Sequence, residues 1–124
     1  MSRFLSASML LLLGGCSAIP LKPGAAKIRF MQNEPKGCTY LGEAVGSQGG
    51  SFIGRLTSNE NMEIGARNSL KNQAAEMGGN VVTLLLNRAG QTGSWNQHGG
   101  HQGQTNVVLT GIVFKCPQAV LDSL

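Results

Sequence analysis

Asn68-Ser-Leu-Lys-Asn-Gln-Ala-Ala-Glu-Met-Gly-Gly-Asn-Val-Val-Thr-Leu-Leu-Leu86 decides the fold, because one short stretch carries the end of a helix, its stop and a buried strand. Read with the residues before it, Ala66, Leu70, Ala74 and Met77 recur at spacings of four, four and three, which is one apolar stripe on a helix. Arg67, Asn68, Lys71, Asn72 and Glu76 fall mostly on other faces. Gly78-Gly79 supplies the left-handed conformation that ends a helix. Upstream, Thr57-Ser-Asn-Glu60 has the spacing of a capping box, a hydroxyl followed three residues later by a carboxylate, so the helix is expected to start there. The stripe is built from small residues, which lets the helix lie close against a sheet and argues for a two-layer domain over a coiled coil. Asn80 to Leu86 is then a continuous β-branched and aliphatic run, the pattern of a buried central strand.

Working outward, Lys27-Ile-Arg-Phe-Met31 alternates polar and apolar and puts Ile28 and Phe30 on one face of a half-buried strand. Asn33-Glu-Pro-Lys-Gly37 is turn chemistry, and Cys38 to Gly46 reads as a second strand, expected to pair antiparallel with the first. The Gly/Ser-rich residues Ser47 to Ser51 lead to Phe52-Ile-Gly-Arg-Leu56, read as an apolar loop or short extension. Asn87 to Asn106 is rich in Gly, Gln, Asn and Ser and reads as a loop, and Val107 to Cys116 as a long fourth strand. The order ββαββ predicts an α+β domain over residues 27–117, a four-stranded, largely antiparallel sheet with one helix on a face. Residues 118–124, after Pro117, are expected to be a frayed, flexible tail.

The N-terminus, Met1-Ser-Arg-Phe-Leu-Ser-Ala-Ser-Met-Leu-Leu-Leu-Leu-Gly-Gly-Cys16, has a positive charge at Arg3 and an apolar run from Phe4 to Leu13. That run falls short of the roughly 20 apolar residues a bilayer span needs, so residues 1–15 read as a signal peptide. Leu13-Gly14-Gly15-Cys16 resembles the lipobox of bacterial lipoproteins. By that resemblance cleavage falls before Cys16, whose thiol carries a diacylglyceryl group and whose freed amine is acylated. Each buried methylene contributes roughly 0.8 kcal/mol, so two or more chains anchor a protein that one would hold only marginally. Ser17 stands where many diderm bacteria place the Asp that retains a lipoprotein at the inner membrane, which points to the outer membrane, with the domain facing the periplasm. Residues 16–26 hold two prolines and a glycine without a period, and are expected to form an extended tether reaching about 30 Å.

With Cys16 lipidated, Cys38 and Cys116 remain, and an exported chain in an oxidising compartment pairs them. Neither sits in a Cys-x-x-Cys spacing or beside a histidine, so the bond reads as a structural staple.

The formal charge is +4, and Arg3 leaves with the signal, so the mature chain is mildly basic. Its cations are scattered singly with little aromatic interleaving, which argues against nucleic acid as a partner. Gly-Gly pairs at 49–50, 78–79 and 99–100 do not have the spacing of a phosphate-cradling loop. Glu60 and Glu63 are the one close carboxylate pair, and a helix start favours negative charge there without any catalytic role. No serine stands in a strand-to-helix elbow, and no free thiol with a histidine partner is in view, so the chain is not expected to be an enzyme or to carry a cofactor. His98-Gly-Gly-His101 is the one motif that suggests a metal, but two imidazoles fall short of the three or four ligands a divalent site wants, and no metal site is expected. Trp95, in the same stretch, is the lone tryptophan, and two readings stand for it: a large contact ring for a partner protein or glycan, or a ring folded back onto the sheet.

Cys38-Thr-Tyr-Leu-Gly-Glu43, the Asn-Gln-Ala-Ala-Glu-Met-Gly-Gly-Asn run over residues 72–80, and Gly111-Ile-Val-Phe-Lys-Cys-Pro117 together resemble the small envelope lipoproteins of the YjeI type, a domain of unknown function. The resemblance covers nearly the whole mature domain. In topology the chain is more distantly similar to the envelope stress-sensor lipoprotein RcsF, from which it departs in a shorter tether without a long Pro-rich stretch and in fewer cysteines. The resemblance implies fold and place and carries no activity. The residues themselves read as a membrane-anchored, non-enzymatic binding or structural module, with the Trp95 to Gln104 loop, and in it Trp95, His98 and His101, as the first place to look for an envelope protein or cell-wall partner. Two alternatives to that reading are an envelope stress sensor, which the RcsF likeness implies, and a divalent-metal module using His98 and His101.

Overall fold

The computed structural model of the chain describes residues 17–49, 58–96 and 99–124, and for 86–96 and 99–105 the backbone alone. The expected signal peptide with Cys16, the apolar segment at Phe52 to Leu56, Thr57 and His98 lie outside the described residues.

The elements run as a 3₁₀ turn at Pro23–Ala25, β1 (Arg29–Met31), β2 (Thr39–Gly49), α1 (Asn59–Glu76), β3 (Val81–Asn96), β4 (Gly99–Lys115) and α2 (Gln118–Asp122). The four strands form one sheet in the order β1-β3-β4-β2. The domain is therefore α+β, a four-stranded mixed sheet with one main helix and a Cys38–Cys116 disulfide.

Ser58, one residue later than the expected Thr57, is the N-cap of α1, its hydroxyl accepting from the Asn61 N–H at 3.1 Å. At the other end Gly78 takes φ +82° and its N–H donates to the Ala75 carbonyl, so the glycine stop works as anticipated. The stripe Ala66, Leu70 and Ala74 is fully buried, extended by Met62 toward the start of the helix, while Met77 is partly buried beyond its end. It packs on Ala44 of β2 and on Val107, Leu109 and Val113 of β4, with Val82, Ile28 and Ala25 completing the core. Gly46 makes the close approach possible: a Cβ there would run into the Ala66 carbonyl oxygen and the Leu70 amide nitrogen.

β1 does not pair with β2. Its partner is β3, parallel, with Phe30 beside Val82, and β2 lies at the opposite edge, antiparallel to β4. The reason is burial: Val81 and Val82 are fully buried and need covered strands on both sides, whereas a β1–β2 hairpin would leave β3 at an edge. The alternation read in β1 holds, with Ile28 buried and Phe30 partly buried against the helix-side core.

Two further expectations are corrected. The described residues of Asn87 to Asn106 are not a loop: β3 and β4 stay paired from Gly90 opposite Asn106, through a register shift at Gly90/Gln91, out to Asn96 opposite Gly99, as an arm beyond the end of β2. A polar strand pair lacks the period-2 apolar signal, and its backbone ladder carries it instead. The tail is not frayed either. Residues 118–122 form α2, and Val120 and Leu121 pack with Val81, Phe114 and Cys116 on the face of the sheet away from α1.

Candidate functional site

The N-terminal residues expected to form a free tether are docked along α1. Proline at 20 and 23 removes two backbone donors, so the segment cannot join the sheet as a regular strand, and its remaining polar groups need side-chain partners. They find them on β2 and on one stripe of the helix. The Ile19 N–H donates to Gln48 Oε1 at 2.7 Å, and Gln48 Nε2 donates back to the Ser17 carbonyl at 3.1 Å. Asn68 Nδ2 donates to the Ile19 carbonyl at 2.8 Å. Asn72 does both jobs, donating to the Pro20 carbonyl at 3.0 Å and accepting from the Lys22 N–H at 2.8 Å. One turn further on, Lys22 Nζ meets Glu76 Oε1 at 3.1 Å on the surface.

Asn68, Asn72 and Glu76 are spaced four residues apart, so they stand one above another along roughly 12 Å of helix. The strap then turns through Pro23–Ala25, buries Ala25 completely, and enters β1. Residues that read as the polar back of an amphipathic helix therefore form a second working face, and Asn72 is only 7% exposed. A signal existed in the sequence: two asparagines in register on a helix are poor helix formers and want a reason.

This arrangement fixes where the N-terminal end of the domain lies. Ser17 sits beside Gln48, near the end of β2, the same end from which the β3–β4 arm projects. Trp95 and His101 are both on that arm near its tip, Trp95 opposite Gly100 and His101 opposite Ser94, while His98 lies outside the described residues. Among the described residues, no three of His, Cys, Asp and Glu gather at one point.

At the other end, Cys38 and Cys116 are bonded, with their Cα atoms 4.4 Å apart where β2 begins and β4 ends. The Asn80 side chain clamps the same corner, donating to the Cys116 carbonyl at 2.8 Å and accepting from its N–H at 2.7 Å. Beside it opens a cavity of about 660 Å³ whose lining includes Lys27, Arg29 and Lys115. These cations are far apart in the sequence and read there as scattered charges.

Residues 19–116 match the family described as a domain of unknown function (DUF4156). The chain belongs to the DUF4156 family. The family's match opens inside the strap, at Ile19, and closes on the disulfide-bonded Cys116, so the strap is part of the DUF4156 domain and not a linker ahead of it. The chain is 32% identical over 110 residues to the uncharacterized protein YjeI of Escherichia coli strain K12, covering 86% of this chain and 88% of that one. The same identity and coverage hold for YjeI of Shigella flexneri. Among the described residues, no helix is long and apolar enough to cross a membrane.

Proposed function

We propose that this DUF4156 protein is an outer-membrane lipoprotein anchored through Cys16, a non-enzymatic binding or structural module facing the periplasm. The observation that carries the reading is the division of labour among its three cysteines. Cys38 and Cys116 are bonded to each other, as suits an oxidising compartment, which leaves Cys16 alone at the end of a lipobox-like Leu-Gly-Gly-Cys. The docked strap adds a mechanical consequence. Ser17, the residue after the anchor, is already held by Gln48, so no slack chain separates lipid from domain. The protein rides directly on the membrane, with the end of β2 and the β3–β4 arm on the anchored side and the disulfide corner directed away. The arm is then the element nearest the bilayer and its embedded proteins, and Trp95 near its tip is the first contact to probe.

The test is radioactive palmitate labelling of cells making the wild-type chain or Cys16→Ser, followed by membrane fractionation. Label that depends on Cys16 and travels with the outer membrane is the expected result. Unlabelled wild-type protein in the soluble fraction would overturn the anchor, and labelled protein in the inner membrane would overturn the sorting.

A further inference from the structure

We propose that the cavity beside the disulfide corner is a binding site for a small multivalent oxyanion, held by Lys27, Arg29 and Lys115. Its volume of about 660 Å³ lies within the range of small-molecule sites. Three cations and no carboxylate stand in its lining, and the floor is furnished by small or apolar groups such as Ala75, Gly79 and Leu121.

Of the two neighbouring acids one is paired with a cation away from the lining, and the other, Asp122, is bonded to the lining residue Gln118 at the cavity's edge and keeps its charge. Glu76 is held by Lys22, and the Asp122 carboxylate accepts from Gln118 Nε2 at 2.7 Å. At the end of α1 three of the last four carbonyls already accept hydrogen bonds, Gln73 from Met77, Ala74 from Gly79 and Ala75 from Gly78, which reduces the partial negative charge they present. Among the described residues, the side chains of Lys27 and Lys115 have no hydrogen-bond or ion-pair partner, so both ammonium groups are open to a ligand. Arg29 is positioned rather than free: one terminal nitrogen donates to the Leu121 carbonyl at 3.0 Å, which leaves the remaining N–H groups of the fork for a ligand.

The chemistry that fits two ammonium groups and a guanidinium around one small cavity is a phosphoryl or polycarboxylate group, which accepts several charge-assisted hydrogen bonds at once. Three elements supply the cations: the strap side of β1, β1 itself and the end of β4. Only the folded sheet brings them together. The site stands at the end of the domain remote from Ser17 and would face away from an anchored membrane, but binding requires no lipid.

The experiment is calorimetric titration of the full chain, in detergent, with pyrophosphate and separately with citrate at constant ionic strength. Saturable binding of one equivalent is expected for at least one of them, pyrophosphate being preferred if the natural ligand is phosphorylated and citrate if it is a polycarboxylate. A Lys27→Gln/Lys115→Gln double variant should weaken binding at least about tenfold, Lys115→Arg should retain it, and Lys36→Gln, an exposed lysine outside the cavity, should leave it unchanged. The two lysine side chains make no structural bond among the described residues, so the variants keep the fold, which circular dichroism checks. Absence of saturable binding to either anion, or equal weakening by Lys36→Gln, would overturn the site. A chain that proved soluble and unlipidated would still give the same titration, so the two proposals fail separately.

Discussion

Gly46 shows how much of this molecule is settled by a single missing methyl group. It faces Leu109 across the β2–β4 pair, and its Cα surface is where the backbone of α1 comes down on the sheet. A Cβ would strike backbone atoms of Ala66 and Leu70, and helix backbone cannot swing aside as the end of a long side chain can. Gly46→Ala should therefore destabilise the domain by about 1–3 kcal/mol through overpacking, read as a lower urea midpoint. Gly24→Ala, with nothing within 4 Å of the new carbon, should change stability far less. Nothing about Gly46 in the sequence separates it from the turn glycines around it. The stripe Ala66, Leu70, Ala74 was legible because burial leaves a periodic mark on a helix; a glycine excluded by a neighbour's backbone leaves none.

The strap is the element that changes most when sequence gives way to structure. Proline-rich composition without a period reads as a linker, because nothing within the segment itself records that Asn68, Asn72 and Gln48, far along the chain, offer matching amides to it. Each bond contributes about 1 kcal/mol net, and losing a partner leaves a half-buried backbone group unsatisfied at greater cost. The Asn68→Ala/Asn72→Ala variant should detach the strap locally. Hydrogen exchange at the Lys22 amide, which bonds Asn72, should then rise tenfold or more, while the amides of Val82 and Leu109 in the core keep their protection. Unchanged exchange at Lys22 would mean that Pro23–Ala25 and the buried Ala25 hold the strap without the amide ladder. The β3–β4 arm has the same lesson in reverse: its Gly/Gln/Asn/Ser composition signals a loop, yet its backbone hydrogen bonds make it a ribbon.

At the scale of the whole molecule, the Cys38–Cys116 bond closes a loop of 78 residues around nearly the entire domain. For a loop of that length the chain-entropy model gives a stabilisation of about 4 kcal/mol. Cys38→Ser/Cys116→Ser should lower unfolding stability by about 2–4 kcal/mol in denaturant titration, and reductant should reproduce the loss in the wild type but not in the variant. Several features were determined by the sequence alone: the α+β class, the helix with its glycine stop, the buried strand at Val81–Val82, the two cysteines that pair, and the lipobox-like Cys16. Each is written in local periodicity, turn chemistry or residue count, which need no knowledge of neighbours. Tertiary structure alone decided that β1 lies parallel to β3 and not beside β2, that the N-terminal segment is strapped down, that the last residues form α2, and that Lys27, Arg29 and Lys115 share one cavity. Those facts depend on which surfaces meet across long stretches of chain, and on burial that only the assembled sheet can provide.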